Sequence, residues 1–291
     1  MLSLHTNAAS LSAQNSLSST QAKLSTSMTR LSTGFRINSA SDDAAGLQIA
    51  TRLKSQTSGM AVAMRNTQNS VSMLQTAEGG LNEVTNILTR MKDLATQSAD
   101  ASSSTDDQTA MQKEYDSLTD ELSNIFSNTK FGGTSLLSTG GKLSAGITFQ
   151  IGADASEKMT ANFTTELVTN THANIKLAAT AFKADGTATA AAGTEINLAN
   201  ANATIGKLDT AIDNVSALRS KIGAVSNRLD HVYNNLSNIS TNTQAAAGRI
   251  MDVDFATESA KMTSSQMLMQ AGTAMLKQTN QMSSMVMSLL Q

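Results

Sequence analysis

The 291-residue chain contains no cysteine, no proline and no tryptophan. Without cysteine there is no disulfide framework, no thiolate metal site and no cysteine nucleophile. Proline breaks helix interiors, so its absence leaves unusually long helices open to this chain. Aromatic residues make up 3% of the sequence. A thick globular core draws much of its buried area from aromatics, so thin helical bundles packed with Leu, Ile, Val, Ala and Met suit this composition better. Charged residues are 15% against 40% hydrophobic, which leaves Ser, Thr, Asn and Gln to cover the surface. A net charge of −2 argues against nucleic acid as a partner. Residues 1–41 hold Lys23, Arg30 and Arg36 and no acid, a bias far short of a phosphate-binding patch. The opening "MLSLHTNAASLSAQN" has no basic lead and no continuous apolar run, so no secretory signal peptide is expected. No apolar stretch is long enough to span a membrane.

What the chain does have is apolar residues at helical spacing. One stripe runs Leu53, Met60, Met64, Val71, Leu74, Ala77, Leu81, Val84, Leu88, Met91, Ala95. Its steps alternate mostly between three and four, a mean period near ~3.5 that marks a heptad seam. It predicts a helix from about Asp43 to Asp100, on the order of 85 Å long at ~1.5 Å per residue. A shorter stripe follows at Met111, Tyr115, Leu118, Leu122 and Ile125. A third, at Ile205, Leu208, Ile212, Val215, Leu218, Ile222, Val225, Leu229, Val232, Leu236 and Ile239, nearly matches the first in length.

Between them the period changes. "FGGTSLLSTGGKLSAGITFQIG" has paired glycines at two turns and alternation at Ile147, Phe149 and Ile151, which predicts a β-hairpin or small meander. A further strand is expected around "FTTELV". Residues 178–203 are low in complexity and poor in large apolars, and read as a surface excursion with little core of its own.

Near each end the helical repeat is interrupted. In "LSTGFRINSASDDAAGL", Leu31–Leu47, Gly34 breaks it, Asn38 and Ser39 are turn formers, and Ser41 or Asp42 is expected to start the next helix. In "AAAGRIMDVD", Gly248 is the expected C-cap of one helix and Asp252 or Asp254 the N-cap of another. The organisation is therefore a near palindrome: a terminal helix, a break, a long heptad helix, and then the mirror of these on the far side of a β-rich middle. Each N-terminal element is expected to pair with its C-terminal mirror.

The last helix carries Phe255, Met262, Met269 and Leu276 at intervals of seven, and other apolar residues, Met275, Met282 and Leu289 among them, lie off that line. Residues 262–291 include one charge, Lys277. A lone pair of such helices leaves apolar surface wet. These segments are expected to stay disordered until they meet copies of themselves, or to meet a membrane or a chaperone. The first set would face one neighbour, and Met275, Met282 and Leu289 another. Packed core is the stronger reading of the methionine stripe, because an interfacial membrane helix carries Lys and Arg on its polar face and this one offers Ser, Gln and Thr.

No catalytic, cofactor or metal site is expected, and the chain reads as a non-enzyme. His5, His172 and His231 form no H-E-x-x-H pattern, and His231 reads as a solvated helix residue. There is no G-x-S-x-G and no phosphate loop. Gly132-Gly133 and Gly140-Gly141 read as turns. Asp42-Asp43 reads as helix N-capping rather than a metal pair.

"RLSTGFRINSASDDAAGLQIATRLKSQ" (Arg30–Gln56) resembles the N-terminal signature of bacterial flagellins. "LNEVTNILTRMKDLATQSA", "FGGTSLL", "NRLDHVYNNL" and "RIMDVDFATESAKMTSSQMLMQAGTAMLKQTNQMSSMVMSLLQ" are similar to that family in the same order, over about two thirds of the chain. The resemblance implies a mainly α protein of long helices from both chain ends, packed as coiled-coil-like bundles, with a small β-hairpin region in the middle. It implies an N-terminal D0 helix at 1–40, N-terminal D1 helices at 41–135 with a spoke at 34–44, a short surface-exposed middle at 136–203, a C-terminal D1 helix at 204–247, and a C-terminal spoke and D0 helix at 248–291. The small middle and the opening "MLSLHTNAAS" are similar to lateral flagellins. The implied function is a structural subunit that self-assembles into the extracellular flagellar filament for motility, secreted by the flagellar type III apparatus. Implied partners are copies of itself, an export chaperone on the C-terminal helix, hook–filament junction and cap proteins, and Toll-like receptor 5, for which Arg90, Leu94 and Glu114 match the family's contact positions; Thr89 departs from the Gln of receptor-binding relatives. Filament packing is the alternative role of those three. The rival functions are a hook–filament junction protein and a membrane-active or receptor-binding helical effector.

Overall fold

A computed structural model of the chain describes residues 7–186 and 193–289, with side chains through Gln281. The chain divides into two compact units, one of residues 1–57 and 241–291 and one of residues 58–240.

In the second unit the heptad stripes become the core. Helix α2 spans Ala44–Ser98 and α5 spans Ala201–Met251, each with its early or late turns in the first unit. Leu74, Ala77, Leu81, Val84, Leu88 and Met91 of α2 are fully buried, as are Leu208, Val215, Leu218, Ile222 and Leu229 of α5. The antiparallel pairing is flanked by ion pairs, Lys92 with Asp209 at 2.6 Å and Glu78 with Arg219 at 4.0 Å. Helix α3, Thr105–Asn128, starts on a capping box in which Ser104 and Asp107 satisfy each other's backbone N–H groups. It adds Tyr115, Leu122 and Phe126 to the same core.

The middle holds two short antiparallel hairpins, β1 (Lys130–Phe131) with β2 (Thr134–Ser135), and β3 (Ile147–Gln150) with β4 (Lys158–Ala161). Phe149 pairs with Met159, and both are buried on the inner face. The strand expected around "FTTELV" is not there. Thr165–His172 is a π-helix that runs into a short α4, Ala173–Ala178. Phe163 and Leu167 are both fully buried. Thr165, which a strand would place on the same face between them, is exposed, so burial repeats every four residues rather than every two, as on a helix. Thr171 Oγ1 donates to the carbonyl of Glu166, five residues back, in keeping with the wider turn.

The segment read as a surface excursion also departs from expectation. Ala178, Ala179, Phe182, Ala184 and Ile196 are buried in the core. Small side chains let the backbone lie close to α3, and polar groups tie it down. Tyr115 Oη donates to the carbonyl of Ala178 at 2.9 Å, Ile196 N donates to Gln112 Oε1 at 3.0 Å, and Gln112 Nε2 donates to the buried Glu195 at 3.0 Å. Residues 187–192 of that segment lie outside the described residues.

In the first unit α1, Ala8–Thr33, packs antiparallel on α6, Phe255–Leu289. The terminal helix expected over 1–40 ends at Gly34, whose φ of 75° closes α1 in the left-handed conformation that glycine tolerates. Gly248, the expected C-cap, lies inside α5, three residues before its end, with no positive φ.

Candidate functional site

The α1–α6 pair is a short coiled coil built from unusual residues. On α1 the inward positions are Ser10, Ala13, Leu17, Thr20, Leu24 and Ser27; on α6 they are Glu258, Met262, Ser265, Met269, Gly272, Leu276 and Thr279. All are buried or half-buried, and their steps of three and four give a heptad seam. Eight of these thirteen residues are small or polar. Leu17 fills the notch left by Gly272, where a Cβ would stand 3.3 Å from Leu17 Cδ1. At one end Ser10 Oγ donates to Asn280 Oδ1 at 3.3 Å. Toward the other end, Ser27 Oγ donates to Glu258 Oε1 at 2.6 Å, with Arg30 at 4.0 Å and Lys261 at 3.5 Å from the same carboxylate. The Ser27 hydroxyl, and then Lys261 and Arg30, hold the Glu258 carboxyl below its ordinary range against the opposing effect of burial.

The two interruptions of the helical repeat are bonded to each other. Arg36 N donates to the carbonyl of Met251 at 2.6 Å and Val253 N to that of Gly34 at 3.0 Å, a single antiparallel bridge around Phe35 and Asp252. Arg36 Nη2 reaches the carbonyl of Ile250 at 2.9 Å. Asp42, expected to open the next helix, instead gathers the loop, accepting from Asn38 N, Ser39 N and Ser39 Oγ. Those bonds lower its pKa. Asp43 is the residue that caps α2, through Gly46 N at 2.9 Å. Asp254 caps α6, accepting from Ala256 N at 3.1 Å.

The predicted contact residues of α6 are divided by the seam in a different way from the one expected. Met262, Met269 and Leu276 face α1 of the same chain. Phe255 does not and is exposed. A seven-residue repeat drifts ~20° per step on a straight helix, so three steps from Leu276 carry Phe255 to the seam's edge. Met275 stands one residue before Leu276, about 100° round the helix, and is exposed. The side chains of Met282 and Leu289 lie outside the described residues. Met267, which by sequence only flanks the line of seven, is exposed off the seam, as are three residues the sequence reading missed, Leu268 on α6 and Leu11 and Met28 on α1. Met28 and Leu24 border an open groove along α1 that Met269 closes on the other side. Eight of the twelve large apolar residues exposed among the described residues belong to this unit. The apolar surface is therefore concentrated on the helix pair and its connectors.

Arg90 and Glu114 are brought together on adjacent helices, with both Arg90 Nε and Nη2 on Glu114 Oε1 at 2.9 and 2.6 Å, and both side chains are exposed. Leu94 is not with them at the surface; it is 2% exposed and packs in the core.

His172 is buried where the π-helix meets α4. Its Nε2 donates to the carbonyl of Leu137 at 2.9 Å, its ring stands edge-on to Phe126 at 5.1 Å, and Nδ1 has no partner. Burial pushes its pKa down to about 4. His231 is exposed on α5, and His5 lies outside the described residues. No group of three metal-ligating side chains occurs among the described residues, and no described helix is long and apolar enough to cross a membrane.

Comparison with known proteins places these elements. Residues 4–142 match the bacterial flagellin N-terminal helical region, and residues 205–290 match the bacterial flagellin C-terminal helical region. The chain is 53% identical to polar flagellin F of Vibrio parahaemolyticus over 157 residues, which is 54% of this chain and 41% of that relative. The chain thus aligns with about two fifths of the length of such curated relatives. A crystal structure of Bacillus cereus flagellin is 34% identical and covers 63% of this chain and 94% of its own, with a TM-score of 0.46. A Vibrio parahaemolyticus structure described as a flagellar hook-associated protein shares the fold at a TM-score of 0.58 and 19% identity, over 72% of this chain and 100% of its own. Helices α1 to α3 fall within the first matched region and nearly all of α5 and α6 within the second, so the paired ends are what this chain shares with its relatives: it belongs to the bacterial flagellin family.

Proposed function

We propose that this chain is a structural, non-enzymatic subunit that self-assembles into the helical filament of the bacterial flagellum, outside the cell, after passage through the flagellar type III export apparatus. The observation that supports this reading most is the apolar surface of the α1–α6 pair that lies outside its own seam. Leu11 and Met28 on one helix, and Met267, Leu268 and Met275 on the other, point in several directions around the pair. One further partner cannot cover them all. Several surrounding copies can, at a gain of ~1.5–3 kcal/mol for each large side chain fully removed from water. The seam itself is polar enough to hold a register without making the pair self-sufficient.

An export chaperone would cover the same outer face of α6 in the unassembled subunit, and hook–filament junction and cap proteins would meet the ends of the polymer. The Toll-like receptor 5 contact implied by the resemblance would rest on Arg90 and Glu114, because Leu94 offers no surface. The test is seeded elongation followed by light scattering and electron microscopy. The full chain should extend seeds into micrometre filaments. A chain lacking residues 255–291 should stay soluble and monomeric, with α2 still folded, and should not elongate. Growth of the truncated chain at the full-length rate would overturn the reading.

A further inference from the structure

The 16 methionines are not spread evenly. Ten lie in residues 1–57 and 241–291, and six in residues 58–240. Of those six, Met60, Met73, Met91, Met111 and Met159 are all under 9% exposed, and Met64 is half-buried. In the first unit Met28, Met267 and Met275 are 55%, 60% and 64% exposed. All three stand off the seam. Met267 is two residues from the seam position Met269, about 200° round the helix, and Met28 is one residue beyond Ser27, about 100° round. The chain has no cysteine to intercept an oxidant first.

We propose that Met28, Met267 and Met275 form an oxidant-sensitive modification site, and that their conversion to sulfoxides shuts the subunit out of assembly. The inference rests on the filament reading given above. The reactant is a two-electron peroxide. The thioether sulfur attacks one oxygen of hydrogen peroxide, the O–O bond breaks, the S–O bond forms, and with a proton transfer the second oxygen leaves as water. Sulfur is oxidised by two electrons and the peroxide is reduced by two. The product carries a strong, hydrogen-bond-accepting dipole where a flexible apolar group stood. On a surface that must be dehydrated by neighbouring copies, that acceptor is left without a donor, at every repeat of the contact. Once the face is covered by neighbours, the same sulfurs are out of reach of the oxidant. The subunit is therefore vulnerable before it is incorporated and protected afterwards. Sulfoxides are reducible by enzymes of the methionine sulfoxide reductase class with a dithiol, which is oxidised to its disulfide as water is released.

The experiment treats dilute full-length protein with hydrogen peroxide, maps sulfoxides by peptide mass spectrometry, and measures seeded elongation before and after. Met28, Met267 and Met275 should oxidise first while Met73, Met91 and Met111 are spared. Elongation should slow by about tenfold or more, since each ~1.4 kcal/mol of lost contact is a factor of ten. Reductase with dithiothreitol should restore it. Filaments grown first and treated afterwards should show the three sites protected. The triple variant Met28→Leu, Met267→Leu, Met275→Leu, whatever its own rate, should give a ratio of oxidised to untreated rates near unity. Oxidised wild type that elongates at the untreated rate, or sulfoxides that appear equally at the buried methionines, overturns the inference. Untreated protein that does not elongate overturns the filament reading and the consequence for growth with it, while the peptide map still decides which sulfurs are reactive.

Discussion

Ser27 and Glu258 stand 231 residues apart in sequence and 2.6 Å apart in space, hydroxyl to carboxylate, inside the α1–α6 seam. Glu258 is 4% exposed and its nearest cations are Arg30 and Lys261. A buried charge with a fixed donor permits one alignment of the two helices and penalises the others.

The first prediction follows from that pair. Ser27→Ala removes the donor and leaves the carboxylate buried, at a cost of roughly 1–3 kcal/mol to the helix pair. Because the folded pKa of Glu258 is depressed, its contribution is present above the ordinary carboxylate range and is lost as pH falls through the folded value. Glu258→Gln should flatten that acid dependence. Amide exchange on α1 and α6 as a function of pH measures both; unchanged protection in Ser27→Ala would show the bond to be idle.

A second prediction concerns the long helices. Leu88 is fully buried between α2 and its partners. Leu88→Ala should cost ~2–5 kcal/mol, the spread reflecting how far the site can collapse. Chemical denaturation of the second unit, with an unchanged slope and a lower midpoint, is the expected result.

His172 makes the third. Its pKa falls from an ordinary value near ~6.5 in the unfolded chain to about 4 in the fold because burial disfavours the charged ring. Between those values the unfolded chain binds the extra proton. Stability from this residue is therefore complete above about pH 6.5 and is lost progressively down to about pH 4, by about 3 kcal/mol in all. Subtracting the pH profile of His172→Gln, which keeps a donor for the Leu137 carbonyl, isolates the effect. Parallel profiles would contradict it.

Gly34 carries the fourth. At φ 75° an L side chain costs about 1–2 kcal/mol. Gly34→Ala should fray the last turn of α1 and loosen the bridge to Met251 and Val253, read as faster exchange at Arg36 and Val253. Exchange at Leu88 should not change.

The long helices were legible because their core positions are large and apolar at a constant step. Leu81, Leu88, Leu208 and Leu229 are all at full burial. The terminal seam was half legible: Met262, Met269 and Leu276 announced it, but Ser10, Thr20, Ser265 and Thr279 are of a type that normally faces water. Nothing in their chemistry marks them as interior until the partner helix is known. Phe182 and Ile196 were hidden for another reason. They are isolated large residues in an Ala-rich and Thr-rich stretch, tied to α3 through its backbone: the Ala178 carbonyl accepts from Tyr115 and Ile196 N donates to Gln112. Gly248 misled because glycine inside a helix and glycine ending one look alike in sequence, and only φ separates them.

The seam joins a segment made early to one made much later. Ser27 leaves the ribosome 231 residues before its partner Glu258 exists. At ~5–20 residues per second that is a wait of roughly ten to fifty seconds. During it α1 has no mate, and its inward face is Ser10, Ala13, Leu17, Thr20, Leu24 and Ser27, four of them small or hydroxylated. The half made early is the half that water tolerates. The methionine-rich half, which a nascent chain would expose at greater risk of aggregation, is made after α5 and emerges when its counterpart is already present.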